Sequence, residues 1–190
     1  MSPVVITPRR FADDRGWFSE TYSARTLAQH GITQTFCQDN QSLSRATGTL
    51  RGLHFQRPPF AQAKLVRCVA GRIFDVAVDI RRQSPTFGQW AGTVLSADEG
   101  NQLYVPVGYA HAFLTLEPDC LVAYKVDAFY SAEAEGGVIW NDPDICIDWP
   151  SEVAEPLLSS KDALLPQLAQ LDADFGYDGE PMTALRHIQL

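Results

Sequence analysis

The sequence predicts an all-β protein of the sandwich or barrel kind, on three observations. Between residues 64 and 126, short apolar runs are broken by turn signals roughly every 8–12 residues. Helical spacing is confined to the two ends of the chain. There is no G-x-G-x-x-G, no P-loop and no internal repeat that would point to another architecture.

The elements follow in order. Residues 25–31 have the composition of a short helix closed by Gly31. Residues 64–69 and 73–80 read as a hairpin across Ala70-Gly71-Arg72, with Val76, Val78 and Ile80 on one face and Asp75, Ala77 and Asp79 on the other. Ser84-Pro-Thr-Phe-Gly88 supplies a turn before a strand over 89–95, and Ala97-Asp-Glu-Gly100 another before 102–105. Strands over 111–116 and 121–126 are separated by Glu117-Pro-Asp119. After Asp162, residues 163–171 have helical spacing, with Pro166 tolerable only near the first turn. The tail from Gly176 is rich in turn formers.

At 190 residues the chain predicts one domain, residues 1–190, large enough to bury a core. Its 45% hydrophobic content is that of a globular protein. No apolar run approaches the ~20 residues of a membrane helix, and the first residues lack a signal-peptide pattern. Cys37, Cys68, Cys120 and Cys146 are widely spaced with no C-x-x-C, so the expectation is reduced core thiols in a cytoplasmic protein. The net charge of −8 is uneven: residues 1–82 sum to +6 and residues 83–190 to −14. A basic half in a protein of pI about 4.9 suits a small anionic ligand, not a nucleic acid.

Two stretches carry the functional signal. Gly48-Thr-Leu-Arg-Gly-Leu-His54-Phe-Gln56 and Gly100-Asn-Gln-Leu-Tyr-Val-Pro106-Val-Gly108-Tyr-Ala-His111 resemble the paired cupin motifs, G-x5-H-x-H…E and G-x5-P-x-G-x2-H. Gln56 replaces the second histidine and no glutamate follows at the expected spacing. The two remaining histidines are too few for a typical catalytic metal site, so the expectation is no metal and acid–base chemistry instead. The motifs imply a cupin-type double-stranded β-helix, or jelly roll, and the helical spacing at the chain ends adds short helices at the N- and C-terminal ends.

A lone histidine beside a strand is usually structural. His54 has better company: Arg51 nearby, Lys64 ten residues on, and His111 in the second motif. A neutral imidazole accepts a carbon-bound proton near neutral pH, and needs a carboxylate on its other nitrogen to fix the tautomer. Asp142 and Asp162 are both open for that role. Lys64, otherwise a solvated strand end, suits an enolate oxygen. Tyr124 and Tyr130 share a parity and would share a face on an extended strand, where one could donate a proton opposite His54. Arg15, beside Trp17 and Phe18, could hold a phosphate and a base, although such aromatics are core residues by default. His30 and His187 have no such company, and Trp140-Asn-Asp-Pro-Asp144 is a turn by composition.

Beyond these motifs, the chain resembles the dTDP-4-dehydrorhamnose 3,5-epimerase family across residues 8–170. The resemblance rests on ordered blocks, among them Asp14-Arg15-Gly16-Trp17-Phe18-Ser19-Glu20, Gln38-Asp39-Asn40, Leu50-Arg51-Gly52-Leu53-His54, Ala63-Lys64-Leu65-Val66, Tyr124-Lys125 and Ser160-Lys161-Asp162. It implies a cofactor-free, dimeric jelly roll whose N-terminal strands reach into the partner. It implies His54 as base with Asp162 orienting it, Tyr124 as acid, and Lys64 on the enolate. Arg51, Gln38, Asn40, His111 and Tyr130 would line the sugar-diphosphate site. Arg15, Phe18 and Glu20 would contact the nucleotide, from the neighbouring subunit. Gln41 stands where many members have His, and Ala112 where Gly is common; neither change removes a catalytic group.

The expected reaction is inversion at C3 and C5 of dTDP-4-dehydro-6-deoxy-D-glucose, giving dTDP-4-dehydro-L-rhamnose. Alternatives are inversion at C3 or C5 alone, and a non-catalytic sugar-nucleotide-binding cupin. A metal-dependent cupin oxygenase is disfavoured by Gln56.

Overall fold

A computed structural model describes residues 1–153 and 155–190. Thirteen strands are present among them: β1 (Val4–Thr7), β2 (Phe11–Asp13), β3 (Gly16–Phe18), β4 (Gln38–Ser44), β5 (Leu50–Gln56), β6 (Lys64–Ala70) and β7 (Arg72–Asp79). They continue with β8 (Trp90–Ser96), β9 (Gln102–Val105), β10 (Tyr109–Thr115), β11 (Cys120–Val126), β12 (Glu135–Gly137) and β13 (Arg186–Gln189). One helix, α1 (Ala24–Gln29), begins at Ser23, whose hydroxyl accepts the Thr26 N–H, and ends before Gly31 at φ +86°.

Two sheets pack face to face in a cupin jelly roll. One has the order β13-β1-β9-β6-β11-β4 and the other β12-β5-β10-β7-β8. From β4 to β7, and again from β8 to β12, each successive strand crosses to the opposite sheet. The expected hairpin over 64–80 is therefore corrected. Strand β6 pairs with β9 and β11, while β7 pairs with β10 and β8. The turn at Gly71, φ +78°, carries the chain over an edge of the sandwich. Local alternation sets which residues share a face, but it does not say which strand lies alongside.

Both faces of β7 are buried. Val76, Val78 and Ile80 pack beneath the C-terminal segment, with Leu168, Leu171 and Phe175. Ile73 and Ala77 face the other sheet, with Val66, Leu103 and Val122. Asp75 and Asp79 are fully buried as well. A third apolar layer, Val4, Ile6, Leu65 and Tyr104, lies under Leu27 of α1.

Three further expectations change. Residues 162–171 form two 3₁₀ turns, Asp162–Leu164 and Leu168–Gln170, not a continuous helix. Pro166 lies between them, where it cannot donate a helical hydrogen bond. Only Cys68 and Cys120 are core thiols, whereas Cys37 and Cys146 are exposed. Trp17 and Phe18 are 57% and 69% exposed, on a separate two-stranded arm formed by β2 and β3. No helix among the described residues is long and apolar enough to cross a membrane.

Candidate active site

The site is a cavity of about 520 Å³ in the sandwich, within the range of small-ligand pockets. Arg51 and His54 from β5, Lys64 from β6, His111 from β10 and Tyr124 from β11 line it. Glu135, Lys161 and Asp162 are among the other residues that line it.

A bulge assembles this wall. On β10, His111 lies opposite His54 and Phe113 opposite Arg51, so two steps on β10 match three on β5. Three steps along a regular strand would put Arg51 and His54 on opposite faces. The extra residue restores both to the cavity side. Gly52 makes the bulge possible: its φ is +123°, and a Cβ there would stand 2.5 Å from the His111 carbonyl oxygen.

His54 Nε2 lies 2.6 Å from Asp162 Oδ1. Burial alone would raise the Asp162 pKa, but bonds from His54 and Ser159 hold the carboxyl below its usual range. The Ser159 hydroxyl also accepts the Asp162 N–H at 3.0 Å, fixing the first residue of its turn. An ionised Asp162 accepts the Nε2 proton and leaves Nδ1 as the basic nitrogen. Of the two acids left open, Asp162 is the one the fold brings to His54. Asp142 is a buried cap whose oxygens accept the backbone N–H groups of Asp144, Ile145 and Leu168.

Lys64 is 8% exposed, and its Nζ donates to the His54 carbonyl oxygen at 3.3 Å. Burial pushes its pKa down to about 8, against the pull of Asp75 and Glu135. At neutral pH it remains a cation, poorly hydrated and therefore strong as an electrostatic partner. Burial raises the Tyr124 pKa, although Arg51 works in the other direction. The phenol thus keeps its proton, as a general acid requires.

Tyr130 does not share a strand with Tyr124, because β11 ends at Val126. It is a loop residue whose hydroxyl donates to Glu135 at 3.0 Å, and it reaches a smaller adjoining cavity that Tyr124 also lines. Gln38 and Asn40 join Tyr130 there, linked by a 2.9 Å hydrogen bond. Arg51 makes only long bonds, 3.3 Å to the Ser44 hydroxyl and 3.4 Å to the Leu43 carbonyl. Its guanidinium retains donors for a ligand. Arg15, Phe18 and Glu20 are exposed and do not line either cavity of this chain; Arg15 instead pairs with Asp13 at 2.6 Å.

Sequence reasoning missed three groups. Glu135 and Lys161, both lining the cavity, form an ion pair, and Asp75 bonds His111 at 2.7 Å. Only Asp75 had a visible signal, an acid alternating within an apolar strand. Gln56, at the position of a cupin metal ligand, donates instead to the carbonyls of Phe60 and Phe129 and accepts from Ser131 N–H. Among the described residues no three His, Cys, Asp or Glu side chains gather as a metal-binding group.

Fold and site together define a cupin-fold protein whose ligand-sized cavity gathers histidine, lysine, tyrosine and carboxylate side chains. The family model described as dTDP-4-dehydrorhamnose 3,5-epimerase matches residues 2–170. A dTDP-4-dehydrorhamnose 3,5-epimerase of Sinorhizobium fredii is 49% identical, over 91% of this chain and 88% of its own. The crystal structure of such an epimerase from Bacillus anthracis, with TDP and PPi bound, has a TM-score of 0.84 at 52% identity, covering 87% of this chain and 93% of that one. The dTDP-6-deoxy-D-glucose-3,5-epimerase of Legionella pneumophila, in complex with dTDP-4-keto-L-rhamnose, has a TM-score of 0.85 at 42% identity, covering 91% and 93%. The chain belongs to the dTDP-4-dehydrorhamnose 3,5-epimerase family and is an epimerase.

Proposed function

We propose that this chain inverts C3 and C5 of dTDP-4-dehydro-6-deoxy-D-glucose, giving dTDP-4-dehydro-L-rhamnose. The observation that carries the roles is the 2.6 Å His54–Asp162 pair in one cavity with buried Lys64 and with Tyr124. C3 and C5 both flank the C4 ketone, so the same chemistry serves each. His54 Nδ1 takes the proton from carbon, and the electron pair passes to the C4 oxygen as an enolate. Lys64 stabilises that oxygen through its charge. Tyr124 gives its phenolic proton to the carbon from the other face, and the electrons return from oxygen. The phenol then recovers its proton and the imidazolium releases one, so protons balance over the cycle.

The decisive experiment is NMR of the substrate with the purified protein in D₂O. Deuterium is expected at both C3 and C5, with the L-rhamno configuration in the product. Exchange at one carbon alone would replace the reading with a single-centre epimerase. Binding without exchange would replace it with a sugar-nucleotide-binding protein.

Arg51, with Gln38, Asn40, His111 and Tyr130, serves the sugar diphosphate in this reading. Arg51→Ala is expected to raise KM by about 10-fold or more, with kcat changed far less, in steady-state kinetics. An unchanged KM would remove Arg51 from the diphosphate site.

The remaining three ligand contacts, Arg15, Phe18 and Glu20, act on the site of a second subunit. Support comes from the arm itself, where β2 and β3 pair only with each other and expose Phe11, Trp17 and Phe18. Strand β4, which carries Gln38 and Asn40, lies at the edge of its sheet. Arm exchange in a homodimer would place these aromatics near that edge. We also place the enzyme in the cytoplasm, where a reducing compartment keeps its four cysteines as the free thiols observed.

A further inference from the structure

The proposed reaction gives no role to the carboxylate of Asp75. It lies on the inner face of β7, between Ile73 and Ala77, and is fully buried. Its Oδ1 is 2.7 Å from His111 Nε2, and its Oδ2 has no hydrogen-bond partner among the described residues. A buried carboxylate oxygen without a partner is costly, and an apolar residue would fill this interior at lower cost.

We propose that Asp75 is a positioning residue for the epimerisation: it holds His111 as the neutral tautomer protonated on Nε2, with Nδ1 turned to the substrate. This rests on the reaction proposed above. An ionised carboxylate only accepts hydrogen bonds, so the Nε2 facing it must carry the proton. A second proton on His111 is opposed first by burial, then by the neighbouring charges of Lys64 and His54, while Asp75 pulls the other way; the net pKa is lowered. His111 Nδ1 is left bare, an acceptor suited to a substrate hydroxyl. The cavity then holds two imidazoles of like tautomer, each fixed by its own carboxylate: His54 by Asp162 and His111 by Asp75.

Lys64 is surrounded by His54 on β5, Asp75 on β7, His111 on β10, Tyr124 on β11 and Glu135 on β12. Asp75 is the larger of the two carboxylate influences that hold its proton on, ahead of Glu135. Removing that charge should let the ammonium deprotonate at lower pH.

The test uses the full chain and Asp75→Asn, nearly the same shape without the charge. Imidazole nitrogen NMR of the ligand-free wild type at pH 7 should show His111 protonated on Nε2 and bare on Nδ1. In Asp75→Asn, kcat should fall about 100-fold, and the alkaline limb of its pH profile should move down by about one pH unit. A merely structural role would leave that limb in place. The inference is overturned if wild-type His111 is bare on Nε2 or doubly protonated. It is equally overturned if the variant keeps kcat within about twofold with an unmoved limb. Should the variant not fold, the wild-type spectrum decides. Because that spectrum needs no substrate, an inactive wild type with the expected tautomer would refute the reaction and not the positioning.

Discussion

His54→Ala is expected to lower kcat by about 10³-fold or more while the protein remains folded. Two imidazoles in the cavity pair with a carboxylate, and His54, with a side chain 31% exposed against 8% for His111, is the one more open to a ligand. Alanine removes the proton acceptor that Asp162 orients. The side chain is 31% exposed, so its loss opens the cavity without opening the core. Circular dichroism and the melting temperature should stay close to wild type, and deuterium exchange into substrate should disappear at both carbons together. Near-normal turnover would show that another group is the base. Loss of exchange at one carbon only would assign His54 to a single centre.

Lys64→Met should separate activity from stability. Activity is expected to fall about 10²–10³-fold, since the enolate oxygen loses its cation. Stability should move the other way. In the fold burial pushes the pKa of the ammonium down to about 8, well below the ordinary lysine range, because it disfavours the charged form. The charged lysine therefore destabilises the native state. That cost is complete below pH 8 and fades as pH rises towards the unfolded value. Methionine fills similar space without charge. The pKa near 8 already includes the pull of Asp75 and Glu135, and after relaxation around the new side chain a net gain of about 1–2 kcal/mol is expected at pH 7. For a chain of this size that is a rise of about 2–8 °C in Tm. The advantage over wild type should shrink between pH 8 and about 10.5. In the wild type the same titration should appear as a fall in kcat as pH rises through about 8. A Tm that drops at pH 7 would mean that the ammonium is well compensated in the fold.

The contrast between these two residues follows from where the strands put them. His54 stands at the cavity wall with its partner on a loop 108 residues later in the chain. Lys64 begins β6 and is enclosed by both sheets. A sequence shows that both residue types are present and suited to enolate chemistry. It does not show that one is accessible and the other is buried.

The sequence by itself determined the strand-rich class, the positions of six of the thirteen strands and the residue types available to the site. Those depend on alternation, turn formers and residue type, all of them local. Arg51, His54 and His111 were legible because two glycine-bearing motifs contain them, whereas Lys64 and Tyr124 lie outside both and stood out by residue type beside an expected strand. Tertiary structure decided the rest. Pairing in the sandwich put β6 and β7 in different sheets, which no local pattern encodes. One extra residue at Gly52 turned Arg51 and His54 to the same face, because strand parity reverses with every inserted residue. Asp162 rather than Asp142 met the imidazole, since that contact depends on a loop folding back across the sheet. Asp75, which reads as the polar face of a half-buried strand, points into the sandwich because β7 is covered on both sides.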